Sequence, residues 1–235
     1  MPNYYPVMLD LRGRIALVIG GDAVAAEKAT ALVASGAQVH VQSPEFCETL
    51  SRMAEQEQVT LHRKAYQTGD LAGAFIVVAA THEPQLVQAI WMEAQERGQL
   101  LNIVDEPAYC SFILPSILRR EQLTIAVSTE GASPGLAKRI RQNLEDIFPP
   151  AYGPYVRLAA LVRAYLRAGG VSYEQRDNFF GGFFASDVLE QLIAGNGTQA
   201  LETTATLLHK YGLDVSPTRL EADFMKEERH GNRNT

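Results

Sequence analysis

Hydrophobic and polar residues are distributed in two different ways along this chain. Over roughly the first hundred residues, short apolar runs rich in β-branched side chains alternate with longer segments of helical spacing, the order expected of a parallel sheet covered by helices. "RIALVI" (14–19) reads as a strand, "AVAAEKATALVAS" (23–35) as a helix stopped by Gly36, and "AQVHVQ" (37–42) as a second strand. A helix is predicted over "SPEFCETLSRMAEQ" (43–56), with Ser43 as N-cap and Pro44 at the first helical position, followed by the short strand "VTLHR" (59–63). "AFIVVAA" (74–80) reads as a buried strand, "EPQLVQAIWMEAQERG" (83–98) as an amphipathic helix ended by Gly98, and "LLNIV" (100–104) as the last parallel strand.

The pattern then changes. "SFILPSILRR" and "LTIAVST" are apolar runs separated by the polar "REQ", which predicts an antiparallel hairpin, and "GASPGLAKRIRQNLEDIF" restarts a helix with Ser133 as N-cap and Pro134 at N1. "FPPAYGP" breaks that helix. From Tyr155 on the spacing is helical, in "YVRLAALVRAYLRA", "FFASDVLEQLIAG" and "TQALETTATLLHKYG". The predicted organisation is an α/β Rossmann-like domain over 1–113, a central segment over 114–149, a small all-α domain over 150–226 and a disordered tail over 227–235.

Composition narrows the classes. The 235 residues are 46% hydrophobic and 20% charged, which fits a folded globular chain. No apolar run approaches the roughly 18 residues of a membrane span, and the N-terminus lacks the order of a signal peptide, so a cytoplasmic location without membrane attachment is expected. The net charge of −6 argues against nucleic-acid binding, and an anionic ligand would need a local basic cluster. Cys47 and Cys110 are expected as reduced, mostly buried thiols, and the scattered histidines give no metal site.

The candidate chemistry begins at "LVIGGDAVAAEK" (17–28). A strand, a glycine turn and an Ala-rich helix form the first half of a dinucleotide-binding unit, which aims a helix N-terminus at a pyrophosphate. The three fingerprint positions are Gly20, Asp22 and Ala25. Gly20 permits the turn and Ala25 permits close helix packing. Asp22 brings bulk and negative charge to where phosphates approach, and is expected to weaken binding unless it turns away or pairs, with Lys28 one possible partner. The acid that usually selects the ribose is missing after Val41-Gln42-Ser43, and nothing basic replaces it. On pattern alone, a capping turn in a domain that binds something else remains open.

These segments, with "VVAATHEPQLVQAI", "NIVDEP", "SFILPSI", "STEGASPGLAKRIR" and "FFASDVLEQLIAGN", occur in the order seen in one family. The chain resembles precorrin-2 dehydrogenase, the oxidation and iron-insertion module of siroheme synthase. The resemblance covers nearly the whole chain, to about residue 225. It implies an NAD-binding domain, a central segment that pairs two subunits into a homodimer, and a helical domain. It further implies oxidation of precorrin-2 to sirohydrochlorin with hydride transfer to NAD, and in some members insertion of ferrous iron to give siroheme. The methyltransferase of the fused enzymes is expected on a separate protein.

By resemblance, Asp105 of "NIVDEP" is the catalytic residue, accepting a proton during dehydrogenation or holding a pyrrole N–H during metal entry; the bland alternative is a turn aspartate before Pro107. NAD is expected to meet Gly20, Gly21, Asp22, Ala23, Val24, Ser43, Pro44, Ala80 and Thr81. The tetrapyrrole is expected to meet Asn102, Thr129, Gly131, Ser133 and Lys138. The helix start at Ser133, with Lys138, Arg139 and Arg141, would suit a substrate rich in carboxylates, although a solvated basic face explains the same residues. Thr129 falls where some relatives place a regulatory serine. The family usually writes its loop "GGGxVAxRK", so Asp22 and Ala26-Glu27 depart from it, and the substrate pocket reads as better preserved than the cofactor pocket. A chelatase with reduced NAD dependence and a non-catalytic tetrapyrrole carrier are the alternatives.

Overall fold

The computed structural model describes residues 4–231, with side chains through Lys226. It divides between Leu114 and Pro115 into two units. The first unit holds strands β1 (Ile15–Ile19), β2 (Gln38–Gln42), β3 (Val59–His62), β4 (Ile76–Ala79) and β5 (Leu100–Ile103), and helices α1 (Ala23–Val33), α2 (Glu48–Glu55) and α3 (Pro84–Arg97). Every ladder is parallel and the strand order is β3-β2-β1-β4-β5. The fold class expected from the hydrophobic pattern is the one observed.

Alternation along each strand separates two cores. Ala16 and Val18 of β1 join Val39, Val41, Val78 and the alanines of α1 on one face. Leu17 and Ile19 join Val77, Leu101 and the apolar stripe of α3 on the other. The central strands β1 and β4 are buried on both faces, which is why they read as continuous apolar runs. Gly98 ends α3 in the left-handed conformation with φ 63°, as its position predicts.

Helix α2 departs from expectation. It begins at Glu48 with Cys47 as N-cap, not at Ser43, because residues 43–47 are held elsewhere. The Ser43 amide extends the β2–β3 ladder to His62 O at 3.2 Å, and the Cys47 amide reaches across to Gly21 O at 2.7 Å.

The second unit holds a two-stranded antiparallel hairpin, β6 (Ser116–Arg120) and β7 (Leu123–Val127), followed by α4 (Pro134–Ile147), α5 (Tyr152–Ala168), α6 (Tyr173–Phe184), α7 (Val188–Ile193), α8 (Gly197–His209) and α9 (Pro217–Gly231). Its core gathers Tyr155, Leu158, Val162 and Leu166 of α5 with Phe179 and Phe183 of α6, Leu208 and Leu220. The hairpin and α4 fall in one unit with these helices. Arg120 Nε donates to Phe148 O at 2.8 Å, closing the end of α4, and Arg157 of α5 pairs with Glu121 of the hairpin turn at 3.4 Å. The segment expected to end α4 does so at Ile147, and its last residues already open α5 at Tyr152, since Pro154 lies in the first turn where no amide hydrogen is needed. The stretch expected as a tail from 227 begins inside α9, which runs to Gly231, and residues 232–235 lie outside the described residues.

Candidate functional site

In an open parallel sheet, ligands bind beyond the carboxyl ends of the strands where the winding reverses. Here β1 is followed by β2 on one side and β4 on the other, and a cleft of about 620 Å³ opens at that point. Seven of the residues expected to meet NAD line it: Gly20, Gly21, Asp22, Ser43, Pro44, Ala80 and Thr81. Ala23 and Val24 do not, though as the first two residues of α1 their amides lie outside the helix's own bonding. Gly20 has φ 135°, and a Cβ there would lie 2.7 Å from Ala80 O. Ala25 is fully buried under the turn, as a close helix-to-strand contact requires.

Asp22 takes one of the two courses left open to it and turns away. Its carboxylate is turned back as the N-cap of α1 and accepts the Ala25 amide at 2.9 Å. Lys28 is not its partner; that ammonium pairs with Glu27 at 3.0 Å. The charge of Asp22 is therefore partly compensated by the helix terminus itself. The same bond removes one amide from those a pyrophosphate could use.

The site gains residues that motif reading did not supply. Glu45, Phe46 and Cys47 line the cleft because the start of α2 is displaced. Ala65 and Tyr66 reach it from the connection between β3 and β4, a polar stretch carrying no recognised motif. Gln42 closes the end of β2, buried, with its side-chain amide donated to Asp70 Oδ2 at 2.6 Å and Ala65 O at 3.3 Å. A dinucleotide fits this arrangement: a glycine turn, a helix N-terminus with amides in hand and an extended apolar wall.

Asp105 stands at the tip of the turn after β5, exposed, with φ 60°. A left-handed conformation is uncommon for a residue with a Cβ, although aspartate tolerates it better than most. The segment behind it is firmly seated. The Ser111 amide donates to Leu101 O at 2.8 Å, the Ser111 hydroxyl accepts the Leu101 amide at 2.8 Å, and the Cys110 thiol lies 3.1 Å from the Ile103 amide. Burial pushes the Cys110 thiol up from its ordinary pKa. Asn102, expected against substrate, is buried and donates to Phe112 O at 3.1 Å. Its amide nitrogen thus braces the turn that carries Asp105.

In the second unit, Thr129, Gly131 and Ser133 share one tight loop. The Thr129 hydroxyl accepts the Ser133 amide at 3.0 Å, Gly131 takes φ 85°, and Ser133 caps α4 through the Leu136 amide at 3.4 Å. Lys138 and Arg139 are exposed one turn on, while Arg141 pairs with Glu145. Helix α4 buries only Ala137 and leaves Leu136, Ile140 and Ile147 open to solvent, and Ile117 of β6 is likewise exposed. Both cysteines are unbridged and half-buried. Among the described residues no three His, Cys, Asp or Glu side chains are placed to hold a metal ion, and no helix is long and apolar enough to cross a membrane.

The same segments recur in known proteins. Residues 7–116 match the family described as "Putative NAD(P)-binding", and residues 120–147 match "Sirohaem biosynthesis protein central". Siroheme synthase of Photorhabdus laumondii is 36% identical over 187 residues, covering 78% of this chain and 40% of that protein. The siroheme synthase of Pseudomonas entomophila is 37% identical over 198 residues, covering 84% and 43%. The chain thus spans well under half the length of these relatives. The solved structure of "SirC, precorrin-2 dehydrogenase" superposes with a TM-score of 0.74 at 25% identity, covering 86% of this chain and 100% of that one. Over its NAD(P)-binding and central segments, the chain is thus similar to the siroheme synthases.

Proposed function

We propose that this protein is an NAD-dependent precorrin-2 dehydrogenase, which oxidises precorrin-2 to sirohydrochlorin in siroheme biosynthesis. The observation that carries the proposal is the similarity to a precorrin-2 dehydrogenase across the whole of that chain, combined with a dinucleotide-sized cleft at the sheet's switch point. The reaction is a two-electron oxidation: a hydride leaves the macrocycle and a proton is lost with it. Bound NAD supplies the hydride acceptor.

The protein's own residues supply the rest. Gly20, Gly21 and the first amides of α1 hold the pyrophosphate, and Ser43 and Pro44 border the adenosine end. Asp105 accepts the proton, since its exposed position at the end of β5 puts a carboxylate where substrate enters such sheets. Ser133, Lys138 and the Thr129–Gly131 turn receive substrate carboxylates, and Asn102 acts by bracing the Asp105 turn. The apolar face of α4 and the hairpin forms a homodimer interface. Iron insertion into sirohydrochlorin, with ferrous ion as substrate, is a second reading favoured by Asp22, whose carboxylate takes one of the amides a dinucleotide would use.

Supplying precorrin-2 and NAD to the protein and following NADH together with sirohydrochlorin absorbance tests the reading. Equimolar formation of the two supports it; no turnover, together with metal insertion in the absence of NAD, favours the chelatase.

A further inference from the structure

Residues 63–75, between β3 and β4, form neither helix nor strand, yet the segment is fastened at three places. Asp70 accepts Lys64 Nζ at 2.6 Å, the Gln67 amide at 2.9 Å and Gln42 Nε2 at 2.6 Å, which ties the segment to the end of β2. Glu93, buried on α3, accepts the Tyr66 hydroxyl at 2.5 Å, the Gly69 amide at 2.9 Å, the Leu71 amide at 3.3 Å and Arg97 Nε at 2.7 Å. Gln99 donates to Leu71 O at 2.6 Å and Ala74 O at 2.7 Å. Burying a carboxylate is costly unless donors surround it, and Glu93 is surrounded. Burial pushes Glu93 upward, but Tyr66, the Gly69 amide and Arg97 together hold it below its ordinary pKa of 4.5, so the clamp is ionised at neutral pH.

The residues held in this way include Ala65 and Tyr66, which wall the dinucleotide cleft beside Ser43 and Pro44. In this architecture the end of β2 is where the adenosine ribose lies. No acid from β2 itself occupies that place, and the wall is instead delivered by the connection that follows β3, the neighbouring strand. We propose that Glu93 and Asp70 are positioning residues for the adenosine half of the dinucleotide, fixing Ala65 and Tyr66 in advance so that binding does not have to order them. A wall that must be ordered on binding subtracts directly from affinity. The proposal rests on the dinucleotide reading of the cleft.

The test is calorimetric titration of the full chain with NAD and with ADP-ribose, which keeps the adenosine, the pyrophosphate and the second ribose and lacks only the nicotinamide, in wild type and Glu93→Gln. The expected result is a loss of about tenfold in affinity for both ligands, with kcat at saturating NAD unchanged and circular dichroism unaltered. A well-folded Glu93→Gln protein with wild-type affinity for both ligands overturns the proposal. Wild type that binds neither NAD nor ADP-ribose overturns the dinucleotide reading and this inference with it. Where Glu93→Gln does not fold, the pair Tyr66→Phe and Asp70→Asn, each removing hydrogen bonds nearer the surface, carries the same expectation and the same overturning result.

Discussion

The Asp22 carboxylate accepts the amide hydrogen of Ala25 at 2.9 Å, so that it faces the first turn of α1 and acts as that helix's cap. A pyrophosphate and this side chain compete for the same terminus. Replacing Asp22 with Gly releases the Ala25 amide and removes a negative charge, at a capping cost of only about a few tenths of a kcal/mol. NAD affinity should rise by about fivefold, corresponding to about 1 kcal/mol of helix-terminus electrostatics. Asp22→Asn, which keeps a capping oxygen without the charge, should fall between the two. Calorimetry with NAD measures both; affinity that falls in Asp22→Gly would show that the cap is needed to shape the loop.

Asp105 combines a left-handed backbone with an exposed carboxylate. If that carboxylate takes the substrate proton, Asp105→Asn should lower kcat by about a hundredfold or more while leaving NAD affinity unchanged. Asp105→Gly separates backbone from side chain. It should be equally inactive yet more stable by about 0.5–1 kcal/mol, and so unfold at a higher temperature, because glycine meets no Cβ penalty at φ 60°. Thermal unfolding and turnover on the same preparations decide the matter.

His40 Nδ1 lies 2.8 Å from His62 Nε2, with the rings stacked at 5.1 Å on neighbouring strands β2 and β3. One ring must donate and the other accept, so two charged rings would set N–H against N–H. Burial and then the neighbouring His62 lower the His40 pKa from its ordinary 6.5. A histidine whose pKa is depressed on folding contributes stability that is complete above its unfolded pKa and is lost as the pH falls below it. Stability of the first unit's sheet should therefore begin to decline below about pH 6.5, well before the clamped carboxylates Glu93 and Asp70, both held low, are protonated. Denaturant unfolding of wild type and His40→Asn from pH 8 to pH 5 checks this. An unchanged slope in the variant would exclude the pair as its source.

The exposed stripe of Leu136, Ile140 and Ile147 on α4 should be covered in a homodimer. Ile140→Glu places a charge in its middle and should shift the molecular mass measured by light scattering from dimer to monomer, with the helical signal retained. A wild-type protein that is already monomeric at micromolar concentration would remove the dimer from the proposal.

Much of this architecture was readable from hydrophobic spacing. The strands β1 and β4 and the helices α1, α3 and α4 are where the pattern puts them, because local capping and burial agree there. Helix α2 starts late because the Cys47 amide answers to Gly21, a partner far away in sequence that no local pattern reveals. Helix α6 falls within the helical stretch from Tyr155 but carries no segment of its own there, because its apolar residues are bunched as Phe179-Phe180 and Phe183-Phe184 around two glycines. The glycine turn, Ser43 and Asp105 were marked by motif. Asn102 stands in the same motif, and its side-chain amide donates to Phe112 O behind the Asp105 turn. Ala65, Tyr66 and Glu93 had no signal, since their relation to the cleft depends on a loop crossing back over a sheet edge.

The two glycines of the β1–α1 turn are constrained by different neighbours. A Cβ on Gly20 would meet Ala80 O at 2.7 Å, and one on Gly21 would meet Glu45 O at 1.8 Å. Both obstacles are the protein's own backbone. The dipeptide is thus a seam joining three strand ends, demanded by chain assembly even in a molecule that never meets a nucleotide. Of the three fingerprint positions, it is the one held by Asp22, where a side chain is accommodated, that can register what the ligand requires.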